Sequence, residues 1–235
     1  MQLHIEITDE QLDKFALFEN MVLEWNSVMN LTRITEEDEM ISRHFIDSIC
    51  LVKGEKYLNK SLDESFTVLD MGTGAGFPGI PLRIMFPEIK LTLVDSLEKR
   101  CRFLLRLVDE LGFRNVEVLH SRAEDFGKRT GRREYYDVCI SRAVAKLPVL
   151  TEYTLPYVKL GGQAVYYKGF GIENEVQSSK RAVKLLGGKY PVHIVKYTLP
   201  DTDEGRSLVI VDKISDTPDY YPRKAGLPDK SPIST

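Results

Sequence analysis

The sequence predicts an α/β fold: a doubly wound, mostly parallel sheet with an antiparallel last strand, preceded by N-terminal helices. From Phe66 onward, short strand-like runs alternate with helical runs, which is typical of a parallel sheet covered on both faces. The last two strand-like runs are joined only by residues 200–205, a link too short for a parallel crossover. These two runs are therefore predicted to be antiparallel neighbours.

The first part of the chain, residues 1–59, is predicted to be a helical preface packed on the main domain. Thr8 and Gln11 have the spacing of a capping box, and apolar residues then recur every three or four positions as far as Met29. A second helical run begins near Thr35. On its face pattern His44 is a satisfied core residue, whereas Arg43 and Asp47 point elsewhere.

Residues 60–215 are predicted to form the main domain, and residues 216–235 a Pro- and Lys-rich tail that is extended or disordered. The predicted helices are clearest at 97–112, 148–158 and 172–186. The predicted strands are FTVLD, KLTLVD, VEVLH, YDVCIS, QAVYYK, PVHIVKYTL and RSLVIVDKI.

Composition excludes several classes of protein. No apolar run approaches the ~20 residues of a membrane span, and the N-terminus has acidic residues where a signal peptide would be basic, so we expect a cytoplasmic protein with no membrane contact. The three widely spaced cysteines fit reduced packing residues, with no disulfide frame and no metal site. The net charge of −3 gives no support to a protein that coats nucleic acid, although a local basic face is compatible with it. We expect a monomer.

The glycine-rich stretch DMGTGAGFPGIPL follows the first strand and admits two interpretations. Gly74, Gly76 and Gly79 match a dinucleotide fingerprint, in which a pyrophosphate would lie on the N-terminus of the next helix. However, Pro78 and Pro81 remove two N–H donors at that place. A ligand without phosphate, such as S-adenosylmethionine, fits better.

Acidic residues follow the second and third strands. Asp95 ends the second strand, about 20 residues after the loop, where a carboxylate accepts both hydroxyls of a ribose; the alternative is a cap on the next helix. After the third strand, residues 120–125 supply N–H groups and carboxylates where an adenine would lie. An acid there can accept from the exocyclic amine, or can simply begin a helix.

Several motifs together resemble one family. The stretches DMGTGAGFPGIPL, VDSLEKRCRFL, SRAED, ISRAVA, YYKG and YPRKAGLPDKSPI, with WNSVMNLTRI and RHFIDS in the preface, are similar to the glucose-inhibited division protein B family of bacterial small-subunit ribosomal RNA methyltransferases. The resemblance covers nearly the whole chain. Such a combination is much more specific than a glycine loop alone.

The resemblance implies a class I S-adenosylmethionine-dependent methyltransferase with a Rossmann-like fold. Its expected reaction is methyl transfer to N7 of one guanine of 16S ribosomal RNA near the decoding region, with ribosomal RNA or the 30S particle as partner. By matched position, the resemblance assigns cofactor contacts to Gly72, Phe77, Ala123, Glu124 and Arg142. The motif analysis adds Gly74 and Asp95 to this set.

The loop after the fourth strand reads Ser-Arg-Ala-Val at residues 141–144. It lacks the Asn- or Asp-Pro-Pro-aromatic motif of enzymes that methylate exocyclic amines, and no cysteine lies in it to act as a nucleophile on cytosine C5. Guanine N7 carries an exposed lone pair, so its methylation needs no general base. Positioning would then supply most of the catalysis.

Three cations are predicted to do this positioning, because they lie near the carboxyl edge of the sheet, where open α/β sheets bind ligands. Arg142 and Lys168 are the predicted catalytic residues, acting by positioning and electrostatics, and Lys168 and Arg206 the predicted substrate contacts. The alternatives are a structural salt bridge for Arg142 and a solvated strand end for Lys168. The basic clusters at 99–106 and 128–133 could contact phosphates or be solvated helix faces.

Two other functions remain open from the residues alone. One is an NAD-dependent oxidoreductase that uses the Gly74 to Gly79 fingerprint. The other is a non-catalytic, ligand-sensing RNA-binding module. The prolines of the glycine loop and the short link before the last strand argue against the oxidoreductase.

Overall fold

A computed structural model describes residues 5–200 and 202–233. Residue 201 in the predicted link and the outermost residues of the predicted preface and tail lie outside the described part. Within it, every helix is too short or too polar to cross a membrane. The strands are β1 (Thr67–Met71), β2 (Lys90–Asp95), β3 (Val116–His120), β4 (Tyr136–Arg142), β5 (Val158–Gly169), β6 (His193–Thr198) and β7 (Gly205–Asp212).

The strands form one sheet in the order β3-β2-β1-β4-β5-β7-β6. All neighbouring pairs from β3 to β5 are parallel, whereas β7 is antiparallel to both β5 and β6. The predicted fold class is thus confirmed, including the antiparallel pairing of the last two strands. The strand order reverses between β1 and β4, and open α/β sheets bind ligands beside such a reversal.

Helices cover both faces of this sheet. Alternate strand residues enter opposite cores: Val68 lies in the core beneath the N-terminal helices, and Leu69 in the core beneath the later helices. The α-helices are α1 (Asp9–Met29), α2 (Glu37–Met40), α3 (Asp47–Ile49), α4 (Gly79–Met85), α5 (Glu98–Glu110), α6 (Ala123–Thr130), α7 (Leu147–Thr154), α8 (Glu173–Leu185) and α9 (Leu227–Lys230).

The N-terminal helices begin as predicted and then depart from regular α geometry. The capping box at the start of α1 is present, with the Gln11 N–H donating to Thr8 Oγ1 at 3.3 Å. Between α2 and α3 the chain forms a π-helix at Ile41–Ile46, and a 3₁₀-helix follows at Cys50–Tyr57. These changes of pitch rotate the side chains away from the faces that a 3.6-residue period predicts.

The prediction of an extended or disordered tail is wrong for residues 216–233. Arg133 donates to the carbonyls of Thr217 and Tyr221, at 2.5 Å each. Arg223 makes a two-pronged ion pair with Glu152, whose side chain is fully buried. Charge-assisted hydrogen bonds of this kind are strong. They hold a segment whose composition alone predicted disorder.

Candidate active site

The glycine loop after β1 is closed over the Asp70 carboxylate. Asp70 Oδ2 accepts from the Thr73 hydroxyl at 2.7 Å and from the Gly79 N–H at 2.9 Å. Burial raises the pKa of this carboxyl to about 7, against the opposing effect of those two hydrogen bonds. Since Gly79 begins α4, the protein's own carboxyl group occupies the helix N-terminus that a pyrophosphate would need.

Asp95 ties the glycine loop to the end of β2. Its Oδ2 accepts from the Gly74 N–H at 3.0 Å, and its Oδ1 accepts from the Leu97 N–H at 2.8 Å. Arg100 approaches the same carboxylate at 3.4 Å. Both predicted roles of Asp95 are therefore structurally possible together, because it caps the turn before α5 and also borders the cavity described next.

A cavity of about 400 Å³, the first cavity, opens at the carboxyl ends of β1, β2 and β3. Of the predicted cofactor contacts, Gly72, Asp95, Ala123 and Glu124 line it. Gly74 is not a lining residue, but its N–H donates to the lining residue Asp95. The other lining residues are Met71, Val94, Ser96, Arg100, Ser121, Arg122, Ala143, Val144, Ala145, Tyr153, Gly226 and Asp229.

Phe77 lies outside this lining. Its ring is buried and stacks between His44, with ring centroids 4.4 Å apart, and Phe18, at 4.9 Å. The guanidinium of Arg142 lies 5.2 Å from the same ring. The Phe77 side chain therefore packs against His44 and Arg142 and helps to fix their positions.

A second cavity of about 410 Å³ lies between the N-terminal helices and the ends of β4, β5 and β7. The structure brings together here the three cations that the sequence singled out, Arg142, Lys168 and Arg206. The remaining lining residues are Ile34, Arg43, His44, Asp47, Ala143, Tyr167 and Gly169.

Arg142 is held by Arg43 and His44 of the π-helical segment and by Asp47, the first residue of α3. Its Nη1 donates to Asp47 Oδ2 at 2.9 Å and to the Arg43 carbonyl at 3.1 Å. Its Nη2 lies 3.1 Å from His44 Nδ1. Burial and the neighbouring Arg142 charge lower the pKa of His44 to about 3, so the ring is neutral and accepts at Nδ1. His44 Nε2 then donates to Thr32 Oγ1 at 2.8 Å.

The other two cations are also paired. Lys168 donates to Glu175 Oε1 and to the Ala145 carbonyl, both at 2.7 Å, so it fixes the loop after β4. Arg206 is ion-paired with Glu204 and lies 3.7 Å from Asp47 Oδ1. Asp47 therefore connects two of the three cations.

The sequence prediction missed Asp47, Arg43 and His44 as site residues. Asp47 is 5% exposed and also accepts from the Tyr197 hydroxyl at 3.1 Å. The sequence pattern predicted that Arg43 and Asp47 point away from the core, because a regular α-helical period was assumed. Residues 41–46 are instead π-helical, which changes the direction of these side chains. The motif RHFIDS, quoted for the family resemblance, was the available signal.

The two cavities adjoin at Ala143, which lines both. Ala143 has φ +57°, a left-handed conformation that is uncommon for a residue with a side chain. The next residue, Val144, packs against Gly72 so closely that a Cβ on Gly72 would lie 2.5 Å from Val144 Cγ2. A glycine at residue 72 thus allows the loop after β4 to approach the loop after β1.

Neither cavity is lined by a cysteine, because Cys50, Cys101 and Cys139 are buried as free thiols in other positions. Among residues 5–200 and 202–233, no three His, Cys, Asp or Glu side chains cluster in a way that could hold a metal ion.

Comparisons with known proteins agree with one another. The family model of rRNA small subunit methyltransferase G matches residues 11–201. The chain is 46% identical to the ribosomal RNA small subunit methyltransferase G of Alkaliphilus metalliredigens, over 99% of this chain and 95% of that protein. It is 45% identical to the protein of that name from Acetivibrio thermocellus, over 98% and 92%.

Solved structures share the fold at low identity. A SAM-dependent methyltransferase from Aquifex aeolicus is 19% identical, with a TM-score of 0.54 over 76% of this chain and 94% of that one. A predicted O-methyltransferase from Agrobacterium tumefaciens is 20% identical, with a TM-score of 0.54 over 74% and 81%.

Proposed function

The chain belongs to the rRNA small subunit methyltransferase G family, and from this premise we propose that it methylates N7 of a guanine in small-subunit ribosomal RNA near the decoding region. The methyl donor is S-adenosylmethionine. The first cavity takes the donor, and the second cavity takes the guanine.

The observation that carries this proposal is the junction of the two cavities at Ala143. In a direct transfer the donor and acceptor atoms must approach to roughly 3–3.5 Å, so two bound ligands must meet at one point. Two cavities of similar volume, separated by one small residue, meet that requirement. A single cleft for a dinucleotide would not need the second one.

The residues of the first cavity fit the proposed donor. Asp95 can accept from the two ribose hydroxyls while its other lone pairs stay on the backbone. Glu124 can accept from the exocyclic amine of adenine. Since Asp70 occupies the N-terminus of α4, a pyrophosphate has no place there, which argues against the oxidoreductase. When bound, the donor supplies an electrophilic methyl group on its sulfonium.

The residues of the second cavity fit an acceptor that needs no deprotonation. Guanine N7 attacks with a lone pair, and neither a thiol nor a cationic histidine is required. Arg142 uses three of its five N–H groups on Asp47, Arg43 and His44, so two remain to bind guanine O6 or a phosphate. We therefore assign Arg142 to positioning of the guanine beside the donor.

An exposed aromatic residue at the rim supports an RNA substrate. Phe170 is 69% exposed and follows Gly169, which pairs with Arg206 across the β5–β7 ladder. Its ring packs against Gly205, and Lys196 lies 5.1 Å from the ring centroid. Sequence-specific RNA recognition commonly stacks splayed bases on such rings. We assign Phe170 to a base next to the target guanine.

The proposed reaction needs no metal ion and no second subunit, because the substrate guanine supplies the nucleophilic lone pair and one chain provides both cavities. We therefore propose a monomer that acts on the RNA or the 30S particle in the cytoplasm.

The test is transfer of tritiated methyl from S-adenosylmethionine to small subunits prepared from cells that lack this gene. We expect label on one guanine, located at N7 by nuclease digestion and mass spectrometry. Label on an exocyclic amine or on another base would overturn the N7 assignment. Cofactor binding without any transfer, to particles or to naked RNA, would instead support the non-catalytic module.

A further inference from the structure

The first cavity has one wall that comes from the C-terminal segment, residues 216–233. Gly226 and Asp229 line the cavity together with Glu124 and Tyr153. The Gly226 N–H donates to Glu124 Oε1 at 2.8 Å, and the Tyr153 hydroxyl donates to Asp229 Oδ2 at 2.9 Å. The segment thus contacts the acidic residue that the proposed function assigns to adenine.

The carboxylates of Glu124 and Asp229 have more oxygen atoms that can accept a hydrogen bond than the protein has donors to offer them. Burial raises the pKa of Tyr153, so the hydroxyl keeps its proton and offers a single O–H. That O–H is 2.9 Å from Asp229 and 3.5 Å from Glu124. The Gly226 N–H donates to Glu124 Oε1, and the Tyr153 hydroxyl approaches that same oxygen, so Glu124 Oε2 is left to accept from a ligand.

The segment that supplies Asp229 is fixed in place before any ligand arrives. Arg223, three residues before Gly226, is ion-paired with the buried Glu152 of α7, the helix that also carries Tyr153. At the start of the segment, Thr217 accepts from the buried Lys213 ammonium. A preorganised wall gains affinity because little ordering entropy is lost on binding.

We propose that the C-terminal segment forms the base-recognition end of the cofactor site, with Asp229 and Glu124 together accepting from the exocyclic amine of adenine. This inference rests on the proposed function. Two acceptors at that position favour a purine with an amino group and disfavour one with a carbonyl oxygen, whose lone pairs would face carboxylates.

The test compares two ligands by titration calorimetry, S-adenosylhomocysteine and its deaminated analogue S-inosylhomocysteine. The variant is Asp229→Asn, because an amide can donate to the inosine oxygen where a carboxylate cannot. The matched control is Asp219→Asn, since Asp219 is an exposed aspartate of the same segment that does not line the cavity.

We expect the wild type to prefer the adenosyl ligand by at least about tenfold, in the range for a hydrogen bond to a charged group. Asp229→Asn should weaken adenosyl binding roughly 3- to 10-fold and reduce the preference, while Asp219→Asn should change neither. The preference is a ratio within one sample, so partial unfolding of a variant does not alter it.

An unchanged preference in Asp229→Asn would overturn the role of the segment and leave the proposed function intact, provided the wild type binds and methylates. A wild type that binds neither ligand would overturn the proposed function itself, and the inference with it.

Discussion

The two cavities are of nearly equal volume but are built in different ways. The first is formed mainly by short loops at strand ends, which offer backbone N–H groups and carboxylates. The second is formed by charged side chains that meet from distant parts of the chain, and its cations are held by acidic partners. The first suits a ligand recognised by shape and hydrogen bonds, and the second suits a polyanion that must be oriented.

The pairing in the second cavity has an energetic consequence. Arg142 and Asp47 are both largely buried, so removal of either one leaves an uncompensated charge. An acidic partner also reduces the local positive charge that could attract phosphates. The acidic partners of the second cavity therefore fix the positions of its guanidinium groups but weaken their electrostatic attraction for RNA.

The largest expected effect comes from Arg142→Ala. Loss of the positioning guanidinium should lower single-turnover methylation of saturating small subunits by about two to three powers of ten, or roughly 2–4 kcal/mol. The pH profile should lack a general-base limb near neutrality for both proteins, because N7 needs no deprotonation. Arg181→Ala, at an exposed position of α8 outside both cavities, is the control and should behave as wild type.

Near-normal turnover in Arg142→Ala would mean that Arg142 forms only a structural salt bridge and does not position the guanine. A wild-type rate that rises tenfold per pH unit through neutrality would reveal a base that the residues around the second cavity do not include.

A pair of glycine variants tests how the loops around the first cavity set its shape. Gly72→Ala should weaken S-adenosylhomocysteine binding roughly 10- to 30-fold, because its Cβ would collide with Val144 and displace the loop between the cavities. Gly112, just after α5 and outside the lining of the first cavity, has a similar positive φ, +66°, but open space around it. Both variants should lose about 1–2 kcal/mol of stability from backbone strain.

Only Gly72→Ala should lose affinity in calorimetry. Equal losses for the two variants would mean that backbone strain, and not contact with Val144, sets the shape of the first cavity.

A smaller effect is expected at the rim of the second cavity. Phe170→Ala should raise the Michaelis constant for small subunits roughly 5- to 10-fold, at the low end of the range for base–aromatic stacking, without changing cofactor affinity. The matched control is Leu160→Ala, an apolar residue that is 60% exposed near the start of β5, whereas Phe170 directly follows the end of that strand. If both variants give the same constant, Phe170 does not contact RNA.

The last prediction concerns stability and not activity, and it depends on Asp70. Its folded-state pKa of about 7 lies above the ordinary value of 3.8, so the folded protein binds more protons and the contribution of Asp70 to stability falls as pH rises from about 4 to 7. The Asp70→Asn variant does not lose stability in this way, because an amide does not titrate in this pH range. Its unfolding free energy, measured by urea denaturation, should therefore increase relative to wild type between pH 5 and pH 8.

The difference between the two proteins cancels other titrations, such as that of His44, which destabilises the fold as pH falls below 6.5. Asp109→Asn, an exposed aspartate of α5, should follow wild type across this range. A constant difference between Asp70→Asn and wild type would contradict the raised pKa.

The sequence predicted the first cavity better than the second because the two depend on different kinds of information. Gly72, Asp95 and Glu124 lie at or just after the ends of strands that periodicity identifies, and parallel strands bring their carboxyl ends to one edge of the sheet. Asp47 could not be predicted in the same way, since a π-helix alters the faces of its segment. Asp229 was missed because a Pro- and Lys-rich composition is typical of disorder, and ion pairs with distant residues override it.

Both cavities are closed by contacts between residues far apart in the sequence, so both are expected to form late in folding. The Gly226–Glu124 bond that closes the first cavity spans 102 positions, and the Arg142–Asp47 bond that closes the second spans 95. Loops of such length close slowly, and contacts of high sequence separation form late when a sheet must assemble first. In a refolding chain we therefore expect the sheet to form before the capacity to bind the cofactor returns, so that ligand affinity reports the last step of folding.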